Sequence, residues 1–248
     1  MRLPTERILD KLDGHLHKND YSGALRHLNY WLAEATAAED TRTALLLHNE
    51  RMGLHRKLGQ ESEAVDALQE ALATVERLGV SEQVGAATTY LNAATVYKAF
   101  GQAEKSLPLF QKARTIYERE LSPEDDRMAG LYNNMALALT DVGDYEQSRS
   151  LNRKALAIME SKADGAPEAA ITYLNMASNA EAEQGLEAAE EVISIYLDRA
   201  RALLDEYPCR DGNYAFVCEK CASVFGYYGH FAYAKELSER ATEIYERT

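Results

Sequence analysis

The 248-residue sequence contains few of the residues that interrupt or cross-link a chain. Its five prolines and fourteen glycines never gather into a run typical of a flexible linker. Three cysteines are an odd number and too few for a disulfide framework. No run of about 18 apolar residues is present, which excludes a membrane-spanning helix. Because 46% of the residues are hydrophobic, the sequence predicts a folded chain without long disordered segments.

Positive charge is also scarce, since 27 lysines and arginines face 40 aspartates and glutamates. The formal net charge of −13 argues against nucleic acid and against anionic membranes as main partners. The same acidity keeps a long helical surface soluble. Residues 1–12 lack the apolar core of a signal peptide, so we expect a cytoplasmic protein.

A repeat is visible before any local structure is assigned. Glycines recur at intervals of 42, 42, 42 and 44 residues, at Gly59, Gly101, Gly143, Gly185 and Gly229. Alanines recur twelve residues after four of these glycines, at Ala71, Ala113, Ala155 and Ala241. Apolar residues with a helical period lie on both sides of each glycine. The sequence therefore predicts helical hairpins that repeat about every 42 residues.

Six such hairpins fit into one predicted domain that spans residues 1–248. Their ranges are about 5–37, 40–78, 81–120, 122–163, 167–207 and 211–247. In the first hairpin, residues 5–18 and 21–37 are the predicted helices, and Asn19-Asp20 replaces the glycine turn. Asp40 and Ser81 are predicted N-caps, and Ser122 followed by Pro123 predicts a further helix start.

The fifth hairpin departs from the pattern on both sides of its turn. Asn175 lies ten residues before Gly185, whereas Asn92 and Asn134 lie nine before their glycines. Ala200 lies fifteen residues after Gly185 instead of twelve. We therefore expect a longer hairpin or a bulge, with a local change in the pitch of the repeat array.

These residues resemble the tetratricopeptide repeat family, which has small residues at helix contacts, a late aromatic in the first helix and glycine at the turn. In the third hairpin the matches are Tyr90, Ala94, Tyr97, Gly101, Ser106, Phe110 and Ala113. In the fourth they are Tyr132, Ala136, Gly143, Tyr145, Ser148 and Ala155. The 42-residue period and the Asn-Asn-Met-Ala and Arg-Lys-Ala-Leu runs are similar to the kinesin-light-chain subclass. The predicted fold is an all-α, right-handed superhelix, an α-solenoid of about six hairpins.

Asparagines recur on the first helices of these hairpins, which line the concave side of such a solenoid. They are Asn49, Asn92, Asn133, Asn134 and Asn175. An asparagine amide offers one acceptor and two donors, so a ladder of amides can hold the backbone of an extended peptide. In the resembling families, asparagines at this position do so. The alternative is that they bond neighbouring helix ends or turns.

The charges late in these helices suggest a polarised groove. Arg56, Lys57 and Lys98 fall near the ends of first helices in the second and third hairpins, and Asp141 and Glu181 fall at comparable places in the next two. An acidic peptide segment would then lie over Arg56 and Lys98. Cations late in a helix also complement its dipole, which is the competing interpretation.

No pattern of catalytic or metal-binding residues stands out. Cys218-x-x-Cys221, with Cys209 and His230 nearby, falls at apolar positions of a predicted helix, so we interpret the two cysteines as buried thiols. Phosphate-binding loops and nucleophile elbows are missing from the sequence. We therefore predict no cofactor, no metal and no enzymatic activity.

The sequence favours a non-enzymatic scaffold that binds a protein or an extended peptide in its groove. Two alternatives stay open. One is a peptide-responsive intracellular regulator, with the irregular fifth hairpin as its hinge. The other is a homodimer or structural homo-oligomer through the last helix, where Tyr233, Leu237 and Tyr245 fit either a covered or an uncovered face.

Overall fold

The computed structural model describes residues 3–247, and within them twelve α-helices and no β-strand are found. The helices are α1 (Thr5–Leu16), α2 (Tyr21–Ala37), α3 (Thr41–Lys57), α4 (Glu61–Leu78), α5 (Val84–Ala99), α6 (Ala103–Glu120), α7 (Asp126–Asp141), α8 (Tyr145–Glu160), α9 (Ala166–Gln184), α10 (Leu186–Glu206), α11 (Gly212–Tyr227) and α12 (Phe231–Arg247). No helix in this part of the chain is both long and apolar enough to cross a membrane.

Consecutive helices pack in pairs, from α1 with α2 to α11 with α12. The chain divides at Glu120–Leu121 into two compact units of three hairpins each. First helices of successive hairpins also contact each other within the units, since α3 contacts α5, and both α7 and α11 contact α9. This confirms the predicted all-α solenoid of helix-turn-helix repeats.

The recurring loop glycine ends the first helix in a left-handed conformation. Gly101 has a φ of +72°, and its N–H donates to the Lys98 carbonyl while the next N–H, of Gln102, donates to the Tyr97 carbonyl. This pair of bonds is the Schellman motif, which satisfies carbonyls at the helix end. In the first hairpin Asn19 takes this position with a φ of +52°, as expected for the turn that lacks a glycine.

Two of the predicted helix starts are wrong. Helix α5 begins at Val84 and not after Ser81, because residues 80–83 form a turn in which the Gln83 N–H donates to the Val80 carbonyl. Helix α7 begins at Asp126, because Asp125 is its N-cap and Ser122 is not. The Asp125 carboxylate accepts bonds from the Arg127 backbone and guanidinium, a charged contact that a serine hydroxyl cannot provide. Asp40 is confirmed as an N-cap.

The fifth hairpin is longer than its neighbours, as its spacing predicts. Helices α9 and α10 contain 19 and 21 residues, whereas α3 to α8 contain 16 to 18. Gly185 has φ +84° and ψ +156°, ends α9 and directly precedes α10. The Schellman turn is thus replaced by a single glycine with a positive φ.

Small residues lie where paired helices cross. Ala71, Ala113 and Ala155 are fully buried, and Ala241 is nearly so. Ala200 is also fully buried, which shows that the shift in the fifth hairpin preserves its helix contact. Interiors of this kind are close-packed, so an alanine fixes how near two helices can approach. The alanine spacing in the sequence therefore marks the core of each hairpin.

Candidate functional site

The first compact unit joins two successive first helices through side-chain amides. The Asn92 Nδ2 of α5 donates to the Asn49 Oδ1 of α3 across 2.9 Å. The Asn49 Nδ2 in turn donates to the Thr89 hydroxyl (3.1 Å) and to the Leu45 carbonyl of its own helix (2.9 Å). Both N–H groups of Asn49 are therefore engaged within the protein.

The second compact unit repeats this arrangement. The Asn133 Nδ2 of α7 donates to the Thr172 hydroxyl of α9 across 3.0 Å. Asn175 follows Thr172 by three residues, as Asn92 follows Thr89. The Asn175 Nδ2 is buried and has no hydrogen-bond partner among residues 3–247. Each unit thus contains one Asn that bonds to a Thr-x-x-Asn motif on the next first helix.

Asn134 differs from the other four asparagines. Its Nδ2 donates to the Gly130 carbonyl of its own helix across 2.8 Å. It lies one residue, about 100°, around α7 from Asn133. The structure therefore groups Asn49 with Asn92, and places Asn133 and Asn175 at the equivalent positions, while Asn134 lies beside them.

Sequence reasoning missed the two threonines in these groups. Thr89 is 1% exposed and Thr172 is fully buried. The signal that could have found them is the shared Thr-x-x-Asn spacing before Gly101 and Gly185. Asn49 and Asn133 each form a hydrogen bond to the next first helix, which is close to the structural use expected for the asparagines.

Asn92 and Asn175 retain unused hydrogen-bonding groups. Within residues 3–247, Asn92 uses one N–H in its bond to Asn49, and its carbonyl oxygen and second N–H make no other bond. One donor and one acceptor on a single amide match the C=O and N–H of a peptide group. The Asn92 side chain can therefore contact a peptide backbone without loss of its bond to Asn49, whereas the Nδ2 of Asn175 is buried.

Asn92 and Asn49 lie on the wall of a pocket of about 430 Å³ between α3 and α5. Its lining is formed by Arg42, Leu45, Leu46, Asn49, Glu50, Leu78, Val80, Gln83, Gly85, Ala86, Thr88, Thr89 and Asn92. Apolar side chains alternate here with a few polar groups, a composition typical of binding pockets. Burial, with a smaller contribution from Asp13, raises the pKa of the Glu50 carboxyl on this wall.

The two predicted cationic residues lie in different places. Arg56 follows Asn49 by seven residues, or two helical turns, so it lies on the same face of α3. It is exposed, yet enough protein surrounds its guanidinium for desolvation to lower the pKa of Arg56, which stays charged at neutral pH. Lys98 is half-buried and lies about 120° around α5 from Asn92. Neither residue lines the pocket.

The cysteines and the last helix have structural positions. Cys218 and Cys221 are fully buried, and burial raises the pKa of the Cys218 thiol to about 11. No group of three potential metal-binding residues occurs within residues 3–247. On α12, Tyr233 and Leu237 are buried, so they do not form an uncovered face, whereas Tyr245 is 42% exposed.

At the end of α9, Glu181 accepts hydrogen bonds from the Tyr227 and Tyr228 hydroxyls, at 2.6 and 2.7 Å. Burial and the bond to Glu181 raise the pKa of Tyr228 above its usual range. This glutamate, predicted as the acidic end of the groove, is thus held by α11.

Several solved structures have a similar fold. BtubC (BKLC) from P. vanneervenii superposes with a TM-score of 0.68 at 20% identity, over 82% of each chain. A Podospora anserina protein described as a kinesin light chain with nearly identical TPR-like repeats gives 0.56 at 20% identity, over 82% of this chain and 95% of the other. NprR in complex with its cognate peptide NprX superposes with a TM-score of 0.52 at 18% identity, over 98% of this chain and 68% of the other.

Among curated proteins, none matches the sequence. The tetratricopeptide repeat model matches residues 38–119 and 127–193, which is more than half of the chain. One of the similar structures is described as a kinesin light chain with TPR-like repeats, in agreement with the resemblance seen in the sequence. The chain therefore belongs to the tetratricopeptide repeat family.

Proposed function

We propose that this chain is a non-enzymatic scaffold that binds an extended peptide segment of a protein along its first helices. The observation that carries the proposal is the half-used amide of Asn92, on the wall of a pocket of about 430 Å³. Asn175 and Asn134 supply further amide groups in the second compact unit. Support also comes from NprR, which has this fold and was crystallised with a peptide.

The chemistry of the pocket suggests how such a segment is held. Asn92 bonds to one peptide group, which makes binding independent of the side chains at that point. Leu45, Leu46 and Val80 receive an apolar side chain, and Arg42 and Glu50 flank it with opposite charges. Affinity then comes from the backbone contacts and selectivity from the pocket.

The test is affinity capture with the full chain as bait. We expect one or more proteins of the source cell to be retained by the wild type and by Asn29→Ala, which changes an exposed asparagine on α2. The double variant Asn92→Ala/Asn175→Ala should retain at least about tenfold less of the captured protein, since each lost hydrogen bond contributes roughly 0.5–1.5 kcal/mol to binding. Equal retention by the double variant would contradict the proposal, as would the capture of no protein at all.

A peptide-responsive regulator is the second candidate, and the fifth hairpin favours it. The buried, unpaired Nδ2 of Asn175 lies in α9, whose turn at Gly185 differs from all the other hairpin turns of residues 3–247. This buried Nδ2 can bond to a ligand only if the hairpin rearranges, which would couple peptide binding to the conformation of the hairpin. Amide hydrogen exchange should slow in α9 and α10 when a captured peptide is added. Unchanged exchange there would contradict the regulator and favour the scaffold.

A further inference from the structure

The first hairpin contains a basic cleft that the proposed function does not use. The cleft has a volume of about 520 Å³ and lies between α1 and α2, away from Asn49 and Asn92. The polar and aromatic side chains that line it include Arg7, Lys11, His15, Arg26, His27 and Tyr30. None of the lining residues is an aspartate or a glutamate. In a chain of net charge −13, this concentration of cations requires an explanation.

Two cations and a histidine of α1 form a stripe. Arg7, Lys11 and His15 follow one another at four-residue intervals, so they share one face of the helix. Like charges four residues apart destabilise a helix, and neither Arg7 nor Lys11 has a carboxylate within ion-pair distance among residues 3–247. An anion in the cleft would remove this repulsion.

The far end of the stripe is fixed in place. His15 Nδ1 lies 2.8 Å from the Asp20 carboxylate, and a side chain at position 23 would displace both groups. A Cβ added at Gly23 would lie 2.0 Å from the Asp20 Oδ2 and 2.6 Å from His15 Nδ1. Across the hairpin, His27 Nε2 lies 2.9 Å from the Ile8 carbonyl oxygen. These contacts preorganise the cleft, which reduces the entropy lost on binding.

The spacing of the stripe identifies the kind of anion. Four helical residues rise about 6 Å. Alternate residues of an extended chain are separated by about 6.6 Å and point to the same side. Carboxylates at alternate positions of an extended segment can therefore meet Arg7, Lys11 and His15 in register, with charge-assisted bonds to the two cations. Tyr30 is 58% exposed and packs edge-to-face on Trp31, which adds an aromatic surface beside the cations.

We infer that this cleft is a second interaction surface, which binds an acidic segment of a partner protein in extended conformation with carboxylates at alternate positions. The charge of the whole chain disfavours a polyphosphate ligand, because long-range repulsion grows with the charge of the ligand. The surface is independent of the asparagines, so its failure and that of the proposed peptide groove can be told apart.

The single tryptophan of the chain gives a direct readout, because Trp31 lines the cleft. The probe is a synthetic peptide with four glutamates at alternate positions, separated by serines and free of tryptophan. We expect it to change Trp31 emission in the full-length protein in a saturable way. Arg7→Glu with Lys11→Glu should weaken binding at least tenfold. The matched control is Lys235→Glu with Arg247→Glu on α12, which gives the same net charge and should bind as the wild type.

The other arms of the experiment can overturn the inference. An equal loss of peptide binding in both double variants would show that the binding is non-specific electrostatic attraction. No change in Trp31 emission at any peptide concentration would show that the cleft does not bind the acidic peptide. Tighter binding of a single-stranded oligonucleotide, or of a peptide with its four glutamates in one block, would also contradict it. If the double charge reversal unfolds the protein, Arg7→Gln with Lys11→Gln replaces it. Asn92→Ala should bind the acidic peptide normally, which separates this surface from the groove.

Discussion

The side chains of Asn49 and Asn92 share one hydrogen bond of 2.9 Å, although 43 residues separate them in the sequence. Asn49 uses both of its N–H groups inside the protein, whereas Asn92 uses only one. Two asparagines on successive first helices therefore have different roles. Asn49 holds two first helices together, and Asn92, which lines the pocket, is held by that contact.

The two asparagines should respond differently to truncation. Asn49→Ala removes three hydrogen bonds and leaves the Asn92 donor unpaired, so we expect a loss of about 1–3 kcal/mol in the free energy of unfolding. Asn92→Ala removes one bond and should lose less than half as much. Urea unfolding followed by circular dichroism measures both, with Asn29→Ala as the exposed control. Equal losses for Asn49 and Asn92 would contradict the division of roles.

Charge reversal tests the polarised groove. Arg56 shares a helix face with Asn49, whereas Lys98 lies on a different face of α5 from Asn92. We expect Arg56→Glu to weaken binding of a captured acidic peptide about tenfold or more without lowering the melting temperature. Lys98→Glu should weaken it less. Titration calorimetry with the same peptide distinguishes the two variants. Unaltered binding by both would contradict a polarised groove.

Substitution of a loop glycine can measure backbone strain separately from steric clashes. Gly101 has a φ of +72°, and a Cβ added there would meet no atom within 4 Å. Gly101→Ala should therefore destabilise the protein only through its conformation, by about 1–2 kcal/mol. Gly101→Asn should destabilise it less, because Asn19 already occupies the same turn position in the first hairpin. Thermal unfolding of the two variants compares them, and an alanine variant as stable as the asparagine variant would be the contrary result.

His48 should make stability depend on pH. It is buried, and desolvation, with a smaller contribution from Arg51, lowers its pKa from the usual 6.5. The unfolded chain then binds the proton more readily than the folded chain. The stabilising contribution is therefore complete above about pH 6.5 and is lost as the pH falls below it. His48→Leu should remove this slope, while His17→Ala at an exposed site should retain it; melting curves from pH 5 to 8 show the difference.

The thiols should differ in reactivity. Burial raises the pKa of Cys218 to about 11, and Cys221 is also fully buried, whereas Cys209 is exposed. A thiol reagent at pH 8 should modify one cysteine per native chain and all three in urea, because the thiolate is the reactive form. The variant Cys209→Ser should then react only when unfolded. Rapid reaction of two or three thiols in the native protein would contradict the buried positions on α11.

Local features of the fold follow from the sequence. The loop glycines, the alanines at helix crossings and the N-cap Asp40 act within a few residues of chain, so their spacing alone predicts the hairpins. The long fifth hairpin is also predicted, because the shifts of Asn175 and Ala200 record its added length. The predicted start at Ser81 fails because residues 80–83 form a turn before α5, which no side chain caps, and the start at Ser122 fails because Asp125 caps α7. The Arg127 guanidinium favours Asp125 as the N-cap through a charged contact between residues two positions apart, which the capping preferences of single residues do not include.

The site itself depends on tertiary structure. The sequence indicates which residues lie on first helices, but only packing pairs Asn49 with Thr89 and Asn92, and Asn133 with Thr172. The stacking of α3 on α5, and of α7 on α9, sets the offset between these residues, and a shift of one position would turn an amide by about 100°. The basic cleft arises in the same way, because the stripe on α1 meets Arg26 and Tyr30 only when the first hairpin has closed. Hydrogen bonds act over about 3 Å, so tertiary packing selects which of the predicted polar groups meet.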